Sequence, residues 1–203
     1  MSKEIINYTN LYDTLYFEGY HISKSKNMGL IFVDYLCDNY NFNTILDVGC
    51  SQGITVDAYE KKGKEAYGID ISNIAINKVK ELNIKNCYVA NVINIPFATK
   101  KFDSLVTCDV LEHLMPSDIN KAIYEIIRVT KKYLFIKVAT NVEKNRGWIE
   151  LIKRKYPRYK HLKNLHLTIM SLNKWITTFE NTDKVELLEI NKELNNILIF
   201  KIK

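Results

Sequence analysis

Three short stretches of this 203-residue chain place polar side chains and glycines at spacings that suggest chemistry. The first is Asp47-Val48-Gly49-Cys50-Ser51-Gln52-Gly53, where an apolar run enters a glycine-bearing turn. Glycine lets the backbone turn tightly and lie close to a ligand, and a helix starting there would offer unpaired N–H groups to it. The order is Gly-x-x-x-Gly rather than Gly-x-Gly-x-x-Gly, so the spacing does not fit a dinucleotide pyrophosphate. In the second stretch Asp70 closes another apolar run, seventeen residues after Gly53. A carboxylate accepts two hydrogen bonds at once, which suits a ribose diol, although Asp70 could also simply cap the next helix. In the third, Asp109, Glu112 and His113 stand at i, i+3 and i+4. If the turn there is helical they share one face. A histidine so placed is a base for a hydroxyl or ammonium near neutral pH. Together with His166 these residues could also bind a divalent ion. Nothing in the spacing orients such ligands, and no metal is assigned.

These stretches need elements to hold them. Short apolar runs at residues 44–48, 65–70, 86–90, 102–108 and 133–138 read as strands. Between them, residues 52–62, 73–82 and 119–129 read as helices. The alternation implies an α/β fold, a mostly parallel sheet with helices on both faces. Two late strands, 184–190 and 196–202, are close enough for a hairpin, so the sheet should end in an antiparallel strand. No linker or repeat divides the chain. It reads as one domain, 1–203, with a helical lid over 1–43, a binding core over 44–140, a basic insertion over 141–180 and a hairpin over 181–203.

In these places the chain resembles the class I S-adenosylmethionine-dependent methyltransferases. Asp47-x-Gly49-x-x-x-Gly53 is similar to their first motif. Ala90-Asn91-Val92-Ile93-Asn94-Ile95-Pro96-Phe97 resembles Gly-Asp-Ala-x-x-Leu-Pro-Phe, and residues 102–114 resemble their Phe-Asp-x-Val…Leu-Glu-His-Leu run. The resemblance implies a Rossmann-like methyltransferase fold with a seven-stranded sheet, and S-adenosylmethionine as cofactor. It implies that Gly49, Cys50, Ser51 and Gly53 touch the cofactor through their main chain. Asp47 would order the loop near the methionine amino group, and Asp70 would bind the ribose. Ile71 would lie against the adenine, Asn91 and Val92 would read its edge, and Cys108 would end a strand near the sulfonium. Phosphobase N-methyltransferases have a similar Asp-x-x-x-His, matched by Asp109 and His113. Their lid tyrosine is loosely matched in the run from Tyr12 through Tyr16, Tyr20 and His21 to Ser23, and Tyr16 is taken as its counterpart. The acid-x-x-Glu-His cluster is also similar to that of small-RNA 2′-O-methyltransferases and ubiquinone-pathway O-methyltransferases, where it can hold a metal.

Composition bounds the partners. The net charge of +6 is local: residues 144–163 hold eight Lys/Arg against Glu150 alone, a net +7. Arginine and tyrosine there, Lys153-Arg154-Lys155-Tyr156-Pro157-Arg158-Tyr159, suit a phosphate or another anion. The expected acceptor is therefore a small metabolite or glycan precursor bearing phosphate or carboxylate. RNA is the alternative, since a positive stretch permits it. No apolar run reaches the ~18 residues of a membrane span. The start, Met1-Ser2-Lys3-Glu4, has no secretory pattern, and four widely spaced cysteines read as buried free thiols. A cytoplasmic location is expected from these features.

Overall fold

The computed structural model describes residues 7–20, 28–141 and 147–203. His21, Ser23, Lys144, Arg146 and the chain start, all used above, lie outside the described residues.

The chain folds as α1 (Tyr8–Phe17), α2 (Met28–Asn39), β1 (Thr44–Val48), α3 (Ile54–Lys61), β2 (Glu65–Asp70), α4 (Asn73–Glu81) and β3 (Cys87–Val89). It continues as β4 (Phe102–Cys108), α5 (Ile119–Val129), β5 (Thr130–Lys137), α6 (Gly147–Lys155), α7 (Leu172–Glu180), β6 (Val185–Asn191) and β7 (Ile197–Ile202). Seven strands form one sheet in the order β3-β2-β1-β4-β5-β7-β6. Pairing is parallel from β3 through β5. The last strand, β7, runs antiparallel to both neighbours and is inserted between β5 and β6, so the hairpin's first strand forms the sheet edge.

Local sequence explains most of this. β1 and β4 are buried almost throughout, as near-continuous apolar strands inside a parallel sheet should be. α4 begins where the Ser72 hydroxyl accepts the Ala75 N–H at 3.2 Å, and α7 where Ser171 does the same for Lys174. α5 buries Ile119, Ala122, Ile123, Ile126 and Ile127 along one stripe.

Two apolar clusters form the main core. One contains the α5 stripe with Trp175, Phe179 and Phe200. The other joins Phe32 and Leu36 of α2 to Val56, Tyr59, Ile76 and Val79. Each fully buried side chain of this kind contributes about 1.5–3 kcal/mol. A third, smaller cluster is separate. It packs Leu11 and Leu15 of α1 and Tyr20 against Ile149 and Ile152 of α6, then Tyr159, Leu162 and Leu165. The chain steps outward from β1 to β2 and β3, then returns to place β4 on the other side of β1. That reversal opens a crevice at the carboxyl ends of β1 and β4, where ligands bind in sheets of this kind. Among the described residues no helix is long and apolar enough to cross a membrane.

Candidate active site

A cavity of about 530 Å³ occupies this crevice. Its floor is the turn after β1. Gly49 and Cys50 both donate their N–H to the Ile69 carbonyl, at 2.8 and 3.0 Å. Gly49 has φ +83°, and a Cβ there would lie 2.3 Å from Val110 Cγ2, so only glycine fits. Ser51 is also left-handed, at φ +51°, which turns its N–H onto Asp70 Oδ2 at 2.9 Å. Asp70 Oδ1 accepts the Ser72 N–H, also at 2.9 Å. One carboxylate thereby ties the first turn to the second strand, and each oxygen keeps a further lone pair.

Asp47 and Asp70 are both buried and both line the cavity. Burial raises Asp47 to about 7, with the neighbouring Asp70 adding to the effect. Burial likewise raises Asp70 to about 6, against the pull of the N–H groups of Ser72 and Ser51. Among the described residues neither has an ion-pair partner. Two buried carboxylates facing one cavity without a cation are complementary to a ligand that brings a positive charge and hydroxyl donors. S-adenosylmethionine carries both, and the volume lies in the range of small-molecule sites. The residues present therefore fit the cofactor that the sequence resemblance implies.

Ile71, Asn91, Val92 and Cys108 line the same cavity, as do Gly49, Cys50 and Ser51. Gly53 does not. A Cβ built on it would meet Val79, Ile84 and Cys87, so its role is to close the turn over α4 and β3 rather than to face a ligand. Its N–H donates to the Cys50 carbonyl at 2.8 Å. Asn91 Oδ1 already accepts the Ile93 N–H at 3.1 Å, which leaves the amide oxygen one lone pair for a ligand. The segment from Asn91 to Phe97 is held from α5. Glu125 accepts the Ile95 N–H at 2.7 Å, and Arg128 donates to the Ile95 and Phe97 carbonyls.

The rest of the cavity wall is assembled differently. After β4 the chain takes a left-handed residue, Asp109 at φ +54°, before a three-ten turn over Leu111–His113. That kink separates Asp109 from Glu112 and His113, and the shared helical face expected from their spacing does not form. Asp109 instead pairs with Lys137 at the end of β5 and stays half-exposed.

His113 is buried, lines the cavity, and bonds through Nδ1 to the Leu165 carbonyl at 3.1 Å. The ring of Tyr12 meets it edge-on at 5.8 Å, and the ring of His166 at 4.8 Å. His166 is fixed in turn by Nδ1 on the Asn141 carbonyl at 3.0 Å. The buried Tyr12 hydroxyl has no partner among the described residues. Burial raises its phenol well above the ordinary tyrosine range, so it is neutral and able to donate. Tyr16, the sequence's choice for this role, also lines the cavity, but it lies one turn further on, against the Ser51 side chain. Sequence reasoning took Tyr16 where Tyr12 is the ring that meets His113, and it named His166 with Asp109, Glu112 and His113 as a possible metal set, of which Asp109 stands apart. The signal for Tyr12 was the lid run itself, in which two tyrosines four apart are interchangeable until α1 is docked.

α1 is tied down at three points. Tyr8 donates to Asp118 at 2.6 Å and accepts the Met115 N–H at 2.8 Å. Asp13 accepts from the Ser72 hydroxyl, Asn73 and the Ile74 N–H at the start of α4. Glu18 takes Lys155 and the Tyr156 hydroxyl. The basic segment is therefore partly spent on bracing α1. Lys155 pairs with Glu18, Lys153 pairs with Glu150, and Arg158 lies over the Tyr156 and Tyr159 rings with a bond to Thr14. None of its described lysines or arginines lines the cavity.

Glu112 is fully buried. Oε1 accepts the Ala139 N–H at 2.9 Å, and Oε2 has no partner among the described residues. Burial and then the charge on Asp109 push this acid up to about 8. Ligand atoms of Glu112, His113 and His166 lie within 4.8 Å of one another and could hold a metal ion. Asp109 is not part of that group. The cysteines are free, as expected, but only Cys50 is buried, whereas Cys37, Cys87 and Cys108 are partly exposed.

The methyltransferase domain family matches residues 46–136. No curated protein sequence matches the chain. Magnesium protoporphyrin IX methyltransferase from Synechocystis, solved with bound S-adenosylhomocysteine, is 14% identical, with a TM-score of 0.59 over 87% of this chain and 84% of its own. A protein from Pyrococcus horikoshii is 16% identical, with a TM-score of 0.64 over 87% and 90%. A structure described with the conversion of a disulfide bond into a thioacetal group during echinomycin biosynthesis is 13% identical, with a TM-score of 0.65 over 96% and 93%. At these identities the likeness speaks for the fold, and the domain match speaks for the class.

Proposed function

We propose that this chain, a class I S-adenosylmethionine-dependent methyltransferase whose residues 46–136 belong to the methyltransferase domain family, methylates an oxygen or nitrogen of a small acceptor held beneath α1. The observation that carries the reading is the meeting of Tyr12 and His113 in the wall of the cavity that Asp47 and Asp70 also line.

The cofactor, S-adenosylmethionine, supplies a methyl group on a sulfonium, open to in-line displacement. The protein's share is alignment and proton management. Asp70 accepts from the ribose hydroxyls with the lone pairs left free by Ser51 and Ser72. Asp47 faces the amino end. The bond from Nδ1 to the Leu165 carbonyl puts the His113 proton on that atom, so Nε2 carries the lone pair that can take a proton from the acceptor. Tyr12 donates from its hydroxyl, which has no partner among the described residues, and orients the acceptor. α1, pinned at Tyr8, Asp13 and Glu18, covers the site and keeps water out.

A small acceptor is favoured over RNA because the described cations of residues 147–163 brace α1 or stand outside the cavity. An anionic group on the acceptor would have to reach those cations at the rim. A second reading rests on Glu112, His113 and His166. Both histidines fix Nδ1 on carbonyls, and Glu112 keeps one bare buried oxygen. A divalent ion held there would supply a Lewis acid beside the acceptor. Loss of turnover on chelation, restored by magnesium or manganese, would support that reading over the metal-free base.

The test is a screen of small hydroxyl- and amine-bearing acceptors, followed by release of S-adenosylhomocysteine. With an acceptor in hand, His113→Ala and Tyr12→Phe should each lower kcat while S-adenosylhomocysteine affinity stays within about twofold. For His113 the loss should be about 10²-fold or more. Unchanged kcat in both variants would remove them from the reaction.

A further inference from the structure

The cofactor turn has two thiols packed beneath it. A Cβ built on Gly68 would lie 2.7 Å from Cys50 Sγ and 2.8 Å from Cys50 Cβ, so this side chain lies flat on Gly68. In the β2–β3 ladder the residue paired with Gly68 is Cys87. A Cβ on Gly53 would lie 3.3 Å from Cys87 Sγ, and Gly53 closes the turn onto the Cys50 carbonyl. Both sulfurs therefore occupy the space that Gly53 and Gly68 leave bare. The contact shows in the chemistry of Cys50, whose thiol is pushed well above its ordinary value first by the Cys87 thiol, then by burial and by Asp70 and Asp47.

We propose that Cys50 and Cys87 form a reversible disulfide on exposure to a peroxide, and that this bond closes the cofactor site. Cys87 is partly exposed on the edge strand, and Cys50 is buried. The peroxide therefore meets Cys87 first. Its sulfur attacks one peroxide oxygen, the O–O bond breaks, and the hydroxide released takes the thiol's proton and leaves as water, giving a sulfenic acid. The Cys50 sulfur then attacks the Cys87 sulfur and expels hydroxide, which leaves as a second water with the Cys50 proton. Two thiols and one hydrogen peroxide give one disulfide and two waters. The S–S bond is about 2 Å long, much shorter than a contact between thiols. β2 and β3 are held in their ladder, so the turn from Gly49 to Gly53 must take up the contraction. That turn places the Ser51 N–H on Asp70 and lines the cavity, so its movement disrupts cofactor binding. Linkage requires the reverse as well: bound cofactor should oppose closure of the bond.

The inference rests on the cofactor reading above, and the experiment separates the two. The full chain is treated with hydrogen peroxide, quenched with catalase, digested without reduction and mapped by mass spectrometry. S-adenosylhomocysteine affinity is measured before oxidation, after it, and after dithiothreitol. The expected result is a Cys50–Cys87 cross-linked peptide lighter by two hydrogens, an affinity at least about tenfold weaker, and recovery on reduction. Cys87→Ser, or Cys87→Ala if serine is not accommodated, should bind like reduced wild type and ignore peroxide. A reduced wild type that does not bind would count against the cofactor reading. A cross-link that forms without loss of affinity, no cross-link at all, or a Cys87 variant as peroxide-sensitive as wild type would overturn the switch.

Discussion

The proposed cofactor side and the proposed acceptor side of the cavity are built on different plans. The cofactor side is a main-chain turn with two buried carboxylates, Asp47 and Asp70, beside it. Gly49, Cys50 and Ser51 turn at the end of β1, and their N–H groups are spent on Ile69 and Asp70 of the neighbouring strand. The acceptor side is made of side chains brought from far apart: Tyr12 on α1, His113 after β4, and His166 after α6. The first is held by its bonds to the adjacent strand. The second depends on the docking of α1 and the segment after β5.

Substitutions can break this contrast. The largest effect is expected from Gly49→Ala. The added methyl would meet Val110 at 2.3 Å in a left-handed backbone, and both penalties fall on the turn. Together they amount to about 3 kcal/mol. Cofactor affinity should fall at least about 100-fold by calorimetry, and retained affinity would show that the turn is not the binding element.

Asp70→Ala should come next. It removes the ribose acceptor and frees two N–H groups, so affinity should fall about 10- to 100-fold. Unchanged affinity would mean that the ribose lies elsewhere.

A smaller effect is expected from pH. Asp47 and Asp70 are held at about 7 and about 6 when folded, above the usual carboxylate range. The folded chain therefore binds more protons than the unfolded chain between about pH 4 and 7, and this contribution to stability is lost as pH rises through 6 to 7. The free protein should melt lower at pH 8 than at pH 5.5 through these two groups. Cofactor affinity should rise over the same interval, because the ionised carboxylates suit the ammonium and the ribose donors. Affinity that is flat from pH 5.5 to 8 would take Asp47 and Asp70 out of the site.

The smallest effect should come from Asp13→Ala, which unties α1 from the start of α4. A loss of about 1 kcal/mol would lower Tm by about 2–4 °C. Turnover should suffer more than cofactor affinity. The reverse order would make α1 part of the donor site.

This division also explains what the sequence could reveal. The cofactor side is local: strand, glycine turn and helix follow one another, and Asp70 ends the adjacent strand. A linear pattern therefore captures the elements that build it, including the limits of β1, β2 and β4. What failed there was fine geometry. Gly53 turned out to pack against Val79 and Cys87 rather than face the cavity, because the helix starts one residue later. On the acceptor side the spacing of Asp109, Glu112 and His113 suggested a helical face. The left-handed turn at Asp109 and the pull of Lys137 prevented it. Tyr12 was passed over for Tyr16, because which of the two rings meets His113 follows from the docking of α1. Such contacts between distant residues leave no period or spacing in the chain. The basic segment was visible as charge, but its pairing with Glu18 was not.

The most direct measurement is a calorimetric titration of S-adenosylhomocysteine into the full chain, with NADH as the comparison ligand. The turn after β1 and the paired acids Asp47 and Asp70 predict one-to-one binding of S-adenosylhomocysteine and no saturable heat with NADH. No heat with S-adenosylhomocysteine, or binding of the dinucleotide in its place, would contradict the account.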